Sequence, residues 1–433
     1  MPWCLSGIIE FLYFLEGTHN SKYKFMINVL YISYDGITDP LGQSQILPYI
    51  KGLSDKGYQI VILSFEKKER FEKQRQIIYN DIENCNIVWH PQIYTAYPPV
   101  ISTLLDLRRM KKEAAGLHKK YNFKIIHTRS YIPAIAALSL KQKFDVPYIF
   151  DIRGFWVDER IEGGIWNLKN PIYYIIFKYF KKKEKQLFAN AKHIVSLTEK
   201  GKKIINSWNI TNDIPISVIP CCVDLNHFNY SNINEEATNK LKEETGISQQ
   251  DFVISYVGSI GTWYMLEEML DFFIQLKKKI PKALFLFITQ DNPDLIYNIV
   301  LQKRISKNSI IIKPALRKDV PLYLSLSDIS IFFIKPLFSK NASSPTKMGE
   351  ILGMGKPIIT NTSVGDIDSI VKESNCGILL NDFTTQDFNY AIDKIEDIMK
   401  LDKEHFRNVS KKNYLLEDGI KKYEEIYNLV CNE

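Results

Sequence analysis

The feature that most restricts how this chain can fold is an alternation of short apolar runs with helical stretches that proceeds, breaks once and starts again. Ile27 to Tyr34 reads as a buried strand, followed by a turn-rich loop and an apolar-periodic stretch from Gln45 to Lys56. Gln59–Phe65, Lys124–Thr128 and Tyr148–Asp151 repeat the strand pattern, with helical stretches such as Tyr131–Lys143 between them, and short strands at 193–198 and 217–220 follow. Polar residues from Asn229 to Gln250 interrupt the rhythm. It resumes with strands at 252–257, 283–289, 309–312, 329–334 and 357–360. Strands separated by helices cannot pair as hairpins, so the pattern predicts parallel βαβ units in two doubly wound α/β sheets. At 433 residues the chain is long enough for two cores. The expected division is an extension at 1–25, a first domain at 26–228, a linker at 229–250, a second domain at 251–404, and terminal helices at 405–433. Those helices are expected to pack back on the first domain, with a break near Glu417-Asp-Gly419. Ligands of open parallel sheets bind beyond the strands' carboxyl ends, so two such sheets facing each other leave a cleft.

Apolar and charged shares of 45% and 24% belong to a folded globular chain and exclude a disordered one. The net charge of +7 is concentrated in the first half. One run holds Arg108, Arg109, Lys111, Lys112, Lys119, Lys120 and Lys124. A second holds Lys178, Lys181, Lys182, Lys183 and Lys185 beside Tyr173, Tyr174, Phe177, Tyr179 and Phe180. A basic, aromatic-rich helix suits an anionic membrane surface, and a solvated helix face fits equally well. No helix-turn-helix, RNA-recognition or finger pattern accompanies the charge, so nucleic acid is not an expected partner. The six cysteines lack zinc-site spacing and suit a reducing cytoplasm. Residues 1–15 are apolar but carry Glu10 and are too short to span a bilayer. With Met26 standing directly before the first strand, residues 1–25 read either as a membrane-lying appendage or as sequence upstream of the start.

Four segments carry chemistry. The loop from Asp35 to Gln45, with Gly36, Gly42 and Gln43, lets backbone approach a ligand, although it could equally be a plain turn. Gly258-Ser259-Ile260-Gly261-Thr262 lies between a strand and a helix, the geometry that cradles a diphosphate on backbone N–H groups, and lacks the P-loop signature. In Ser343-Ser344-Pro-Thr346-Lys347-Met-Gly-Glu350, the last cation and carboxylate lie three apart on a helix start. Lys347 suits a phosphate and Glu350 suits two ribose hydroxyls, while a surface ion pair accounts for the spacing equally well. His127 and Arg129 end one strand, and Asp151, Arg153 and Asp158 follow another, where they could meet an acceptor or form loop salt bridges. Asp366-Ile-Asp368 has a metal-binding D-x-D form but stands alone in a loop and is given no metal.

Together these segments resemble the retaining, GT-B-fold glycosyltransferases of glycosyltransferase family 4, most closely the bacterial branch serving surface polysaccharides. The likeness covers residues 27 to about 400. It rests on Asp35-Gly36 with Gly42-Gln-Ser-Gln45, Asp151-Ile-Arg-Gly-Phe-Trp156, Val195-Ser-Leu-Thr-Glu199, Ile219-Pro-Cys-Cys-Val-Asp224 with Phe228, Tyr256-Val-Gly-Ser259, and Pro345-Thr-Lys-Met-Gly-Glu350 with Gly355-Lys-Pro357. The resemblance implies that Glu350 is the second glutamate of the family's E-x7-E element, holding the nucleotide ribose. The first glutamate is replaced by Ala342, which leaves donor-sugar contacts to nearby backbone or to Ser343 and Ser344. The cations frequent after the glycine loop are replaced by Trp263-Tyr-Met-Leu-Glu267, leaving Arg317 and Lys347 for the diphosphate.

It further implies a nucleotide-binding set of Gly258, Ser259, Gly261, Arg317, Ser343, Ser344, Thr346, Lys347 and Glu350. His127, Arg317 and Lys347 would be catalytic, and Gly36, Gly42, Gln43, Arg129, Asp151 and Arg153 would lie on the acceptor or donor-sugar side. The nucleotide-diphosphate sugar would be a substrate rather than a cofactor, with no metal required. The acceptor would be a glycan or a lipid-linked sugar, met peripherally at the inner face of the cytoplasmic membrane. A sugar-nucleotide epimerase of the same architecture and a non-catalytic nucleotide-sugar-binding subunit are the competing expectations.

Overall fold

A computed structural model describes residues 26–98, 100–210 and 213–432. The first sheet contains β1 (Ile27–Ser33), β2 (Tyr58–Glu66), β3 (Ile87–Ile93), β4 (Ile125–Arg129), β5 (Tyr148–Asp151), β6 (His193–Ser196) and β7 (Ile216–Val218), in the order β3-β2-β1-β4-β5-β6-β7. The second contains β8 (Phe252–Val257), β9 (Ala283–Ile288), β10 (Ile310–Lys313), β11 (Ile329–Phe332), β12 (Ile358–Asn361) and β13 (Gly377–Leu380), in the order β10-β9-β8-β11-β12-β13. Every ladder within them is parallel. The strand order reverses between β1 and β4 and between β8 and β11, which opens a crevice at the carboxyl end of each sheet. Two strands escaped the sequence pattern. β3 carries Pro91 and several polar residues, a mixture tolerated on an edge strand, and β13 is a four-residue edge that opens on glycine.

Helices Ile101–Tyr121, Tyr131–Phe144 and Pro171–Asn190 cover one face of the first sheet, packing Met110, Ala114, Leu138 and Phe188 onto Leu30, Ile126 and Phe150. The other face is closed by Leu47–Asp55 and by the last helix, Leu416–Asn432, which contributes Tyr423, Ile426 and Tyr427. Each apolar side chain taken fully out of water here contributes about 1.5–3 kcal/mol.

The stretch 229–250 is not an extended linker. It forms the helix Glu235–Thr245, capped by the Asn234 side chain on Ala237 N, and buries Leu241 and Ile247 in the second-domain core. The terminal helices divide their packing between the domains. Lys403–Tyr414 lies on Thr346–Gly353, where Ser410 Oγ donates to Gly349 O at 2.8 Å, and Leu416–Asn432 crosses to the first domain. The break between them falls at Leu415, which pairs with Val223, rather than at Glu417-Asp-Gly419. Gly419 lies inside the helix because a Cβ there would crowd Cys222 and Tyr49.

Candidate active site

The second-domain half of the site grows from the end of β8. Gly258 takes φ +107°, a conformation open to glycine, and turns the chain away from the sheet. Ile260 N donates to Asp291 Oδ2 at 2.5 Å and Gly261 N to Ser259 Oγ at 3.2 Å, which fixes the turn. Facing it is the helix Thr346–Gly353, preceded by Pro345 and without a side-chain cap. Lys347 projects from this helix beneath Gly258 and is 7% exposed. Its Nζ lies 3.6 Å from the ring centre of Tyr264 and 4.0 Å from that of Tyr256, and has no hydrogen-bond partner. A Cβ on Gly258 would stand 3.3 Å from it. Burial holds this ammonium well below the usual lysine range, against the weaker pull of Glu350 and Asp291. Glu350 Oε1 accepts from Arg317 Nη1 at 2.8 Å, and the Arg317 guanidinium lies over Phe228. Gly258, Arg317, Lys347 and Glu350 are therefore brought together, with an enclosed cation that lacks an anion. The two tyrosines that box the lysine were not singled out in the sequence, although Tyr264 falls where a cation was missing. Of the preceding segment, Thr346 begins the helix, Ser343 N donates to Lys340 O, and Ser344 Oγ accepts from Cys221 N across the domain boundary at 3.2 Å.

In the first domain, register places Ser33 beside Arg129 and Arg129 beside Asp151, so the strand ends carry their polar side chains in a row. The loop 35–45 is fastened by the fully buried Glu66, which belongs to none of the motifs. Its carboxylate accepts from Ile37 N at 2.8 Å, Thr38 N at 3.1 Å, Thr38 Oγ1 and Ser64 Oγ both at 2.6 Å. A Cβ on Gly36 would meet that carboxylate, and one on Gly42 would collide with the Gly36 carbonyl. Gln43 does not offer its amide to a ligand, because Nε2 is held by Thr38 O at 3.1 Å and Gln74 Oε1 at 2.5 Å.

Gln45, two residues on, is buried and likewise engaged within the protein. Its Nε2 donates to Cys222 O at 3.0 Å and its Oε1 faces Arg153 Nη2 at 3.4 Å. His127 is enclosed rather than open to the cleft. Its Nδ1 meets Tyr427 Oη at 2.8 Å, its Nε2 lies 3.7 Å from Asp151 Oδ2, and the rings of Tyr31, Tyr423 and Tyr427 surround it. Desolvation lowers its pKa, so it is neutral at pH 7. Asp151 is held instead by Tyr423, whose Oη donates to Asp151 Oδ2 at 2.9 Å, while His127 Nε2 stays without a hydrogen-bond partner.

The remaining candidates are structural. Asp158 accepts from Lys181 Nζ at 2.7 Å, and Glu184 takes the same ammonium at 2.9 Å, so neither Asp158 faces an acceptor nor Lys181 a membrane. Asp366 receives Glu199 N at 2.7 Å and Lys200 N at 3.1 Å, and Asp368 receives Lys200 Nζ at 2.9 Å. The D-x-D segment thus clasps a first-domain helix start. Lys340 joins the same closure, pairing with Glu159 at 2.8 Å and lying over Trp263. Ala342 is fully buried in the first-domain core beside Gly201, which leaves no room for the missing glutamate.

This paired construction can be matched to known proteins. Residues 45–227 match the family described as Glycosyltransferase Family 4, and residues 237–413 that described as Glycosyl transferases group 1. The two halves are glycosyltransferase domains of the GT-B fold. Among curated proteins, the chain is 26% identical over 188 residues to the alpha-monoglucosyldiacylglycerol synthase of Acholeplasma laidlawii, covering 42% of this chain and 44% of that protein. It is 22% identical over 270 residues to an uncharacterized glycosyltransferase of Methanocaldococcus jannaschii, covering 61% and 64%. These alignments thus span less than two thirds of either relative's length. GT-B neighbours among solved structures include a sucrose-phosphate synthase from Thermosynechococcus elongatus, with TM-score 0.71, 14% identity and coverage of 93% and 99%. Anabaena HepE in complex with UDP and glucose gives 0.66, 10% identity and coverage of 93% and 99%. A putative UDP-N-acetylglucosamine 2-epimerase from Listeria monocytogenes gives 0.57, 12% identity and coverage of 92% and 94%.

Proposed function

We propose that this GT-B protein moves a sugar, with retention at the anomeric carbon, from a nucleotide-diphosphate sugar held by the second domain to a hydroxyl of a glycan or lipid-linked acceptor held by the first. One observation carries the reading: the enclosed, unpartnered Lys347 ammonium under the Gly258 turn, beside the Arg317–Glu350 pair. A diphosphate is the ligand that supplies its missing counter-charge, and Glu350 can accept from ribose hydroxyls once Arg317 turns to the phosphate. In the reaction the bond from the anomeric carbon to the phosphate oxygen breaks and the bond to the acceptor oxygen forms on the same face. The acceptor proton passes to the departing diphosphate. Lys347, Arg317 and the turn amides stabilise the charge that grows on the leaving group, and positioning supplies much of the remainder. No metal is needed on this reading, so activity should survive EDTA.

The acceptor side favours a membrane surface and a place in surface-polysaccharide synthesis. Helix Pro171–Asn190 exposes Ile172, Tyr174, Ile175 and Tyr179 beside Lys178, Lys182 and Lys185, and helix Ile101–Tyr121 exposes Ile101, Leu104 and Leu105. Among the described residues no helix is long and apolar enough to cross a membrane. The reading is of peripheral docking at the inner face of the cytoplasmic membrane.

The test is calorimetric titration with UDP, GDP and ADP. Glu350→Gln should weaken the preferred nucleotide by about 1–3 kcal/mol, the cost of unpairing a charged hydrogen bond. Unchanged affinity in that variant would reject the assignment. The likeness in fold to the Listeria neighbour keeps a second reading, epimerisation, and the loss of a glutamate at Ala342 a third, a non-catalytic nucleotide-sugar-binding subunit. Conversion of a nucleotide sugar to its epimer without any acceptor would establish the second.

A further inference from the structure

We propose that the acceptor carries an oxyanion, phosphoryl or carboxylate, and that the guanidinium groups of Arg129 and Arg153 hold it. The proposal rests on reading the first domain as the acceptor side. Arg129 is 4% exposed and the Arg153 side chain 9%, yet neither is well paired. Arg129 Nε lies 3.3 Å from Asp35 Oδ2 and its Nη1 3.5 Å from Gln45 O. The Tyr31 hydroxyl also faces this guanidinium. Arg153 reaches Asp151 Oδ2 at 3.5 Å, Gln45 Oε1 at 3.4 Å and Cys221 Sγ at 3.3 Å, and its Nε has no partner. Charge-assisted N–H···O bonds normally close to about 2.7–2.9 Å. The Arg317–Glu350 pair does so at 2.8 Å. The oxygen contacts of both guanidiniums are longer than this and Arg153 Nε has no partner, so each retains donor capacity that a ligand oxyanion can take up.

Their placement adds direction. Gln45 stands between them, its main-chain oxygen toward Arg129 and its side-chain oxygen toward Arg153. Asp35, half exposed at 51%, is the resident counter-ion of Arg129, and it can swing into solvent when a substrate anion arrives. Asp151 cannot move in the same way, because Tyr423 and Arg153 both hold it. Arg153 itself has φ +55°, followed by Gly154 at +132°. A left-handed arginine is a strained conformation that the surrounding structure must hold in place. Arg153 touches Cys221, and Cys221 N donates to Ser344 Oγ, three residues before Lys347. The acceptor anion would therefore lie across the cleft from the donor diphosphate, where it fixes the attacking hydroxyl without sharing the donor's cations.

The test uses the full chain. Sodium phosphate is titrated at constant ionic strength, with and without a saturating nucleoside diphosphate, and Tm is followed. A rise in Tm of the nucleotide-loaded wild type is expected. It should vanish in Arg129→Gln and Arg153→Gln and survive in part in Arg153→Lys, with nucleotide affinity changed less than twofold and circular dichroism reporting the fold. No phosphate effect on the wild type, or one undiminished in both glutamine variants, overturns the proposal. If no nucleotide binds the wild type, the donor reading fails by itself, and the arginine dependence measured without nucleotide still decides this one. Glucose 6-phosphate, glucuronate and farnesyl phosphate in detergent, each against its neutral counterpart, show whether the anion is borne by a sugar or by a lipid.

Discussion

Lys347→Met separates what the site costs the fold from what it does for a ligand. The wild-type ammonium lies between two tyrosine rings with no hydrogen-bond partner, and a buried unsatisfied polar group costs about 1–3 kcal/mol. Methionine keeps the length and the aromatic contact while losing the ammonium over the rings, worth about 2 kcal/mol when desolvated, against a burial cost that for a charged group exceeds that range. The variant should be more stable by about 1–2 kcal/mol, a rise in Tm of roughly 2–8 °C for a domain of this size. Nucleoside diphosphate affinity should fall ten- to a hundredfold, since a charge-assisted hydrogen bond contributes about 1.5–3 kcal/mol. The pH dependence has a definite sign. The lysine pKa is lowered in the folded state, so the unfolded chain binds more protons, and wild-type stability rises with pH between that depressed value and the ordinary value of about 10.4. The advantage of the methionine variant should therefore narrow as pH rises. Thermal unfolding at several pH values, with calorimetric titration in parallel, checks both halves. A variant that binds nucleotide as tightly as the wild type, or is less stable at neutral pH, would refute the reasoning.

Three other outcomes are expected. Gly42→Ala forces a Cβ into the Gly36 carbonyl and should cost about 1–3 kcal/mol by denaturant titration, whereas Gly116→Ala, inside a helix with open space around it, should stabilise by about 0.5–1 kcal/mol. Asp366→Asn weakens the clasp on Glu199 N and Lys200 N, so small-angle scattering should report a larger radius of gyration without nucleotide and recovery with it; an unchanged radius would show that the clasp does not govern closure. Reversing Lys178, Lys182 and Lys185 to Glu should abolish co-sedimentation with anionic liposomes, each cation near the surface contributing about 1 kcal/mol, while reversing Lys181 should instead destabilise the domain through Asp158 and Glu184.

What the sequence made legible follows from how local each signal is. Strand and helix alternation is a property of neighbours, so both sheets and the glycine turn at Gly258 could be read in advance, whereas β3, with Pro91 and several polar residues, and β13, four residues opening on glycine, carry too little of the pattern. The contacts between domains are non-local. Asp366 meets Glu199 and Lys340 meets Glu159 across separations of 167 and 181 residues, and no spacing rule reaches that far. His127 shows the same limit from the other direction. Its place at a strand end was visible, but two of the three tyrosines that enclose it, Tyr423 and Tyr427, arrive on the last helix, the second of them 300 residues later.

The departures from the family pattern make physical sense when taken together. A cation on the glycine loop would stand near the position of Tyr264, and here the chain has an aromatic ring there instead. The ammonium comes from the opposite element, the helix carrying Lys347, and reaches the same turn from beneath. An aromatic box can hold a lysine that has no anion, because a ring face attracts the ammonium weakly and offers it no competing hydrogen bond. The lysine therefore remains in position without being neutralised by a resident carboxylate, and the nearest one, Glu350, is engaged by Arg317. Ala342 belongs to the same rearrangement. A carboxylate at that position would be driven into the first-domain core beside Gly201, so its absence lets the loop 338–342 close on the first domain through Lys340, Glu159 and Trp263. The donor cleft is thus lined by one relocated cation and closed by a loop that has given up its acid. On the proposed reading, selectivity among donor sugars comes from groups around that loop rather than from a glutamate at position 342.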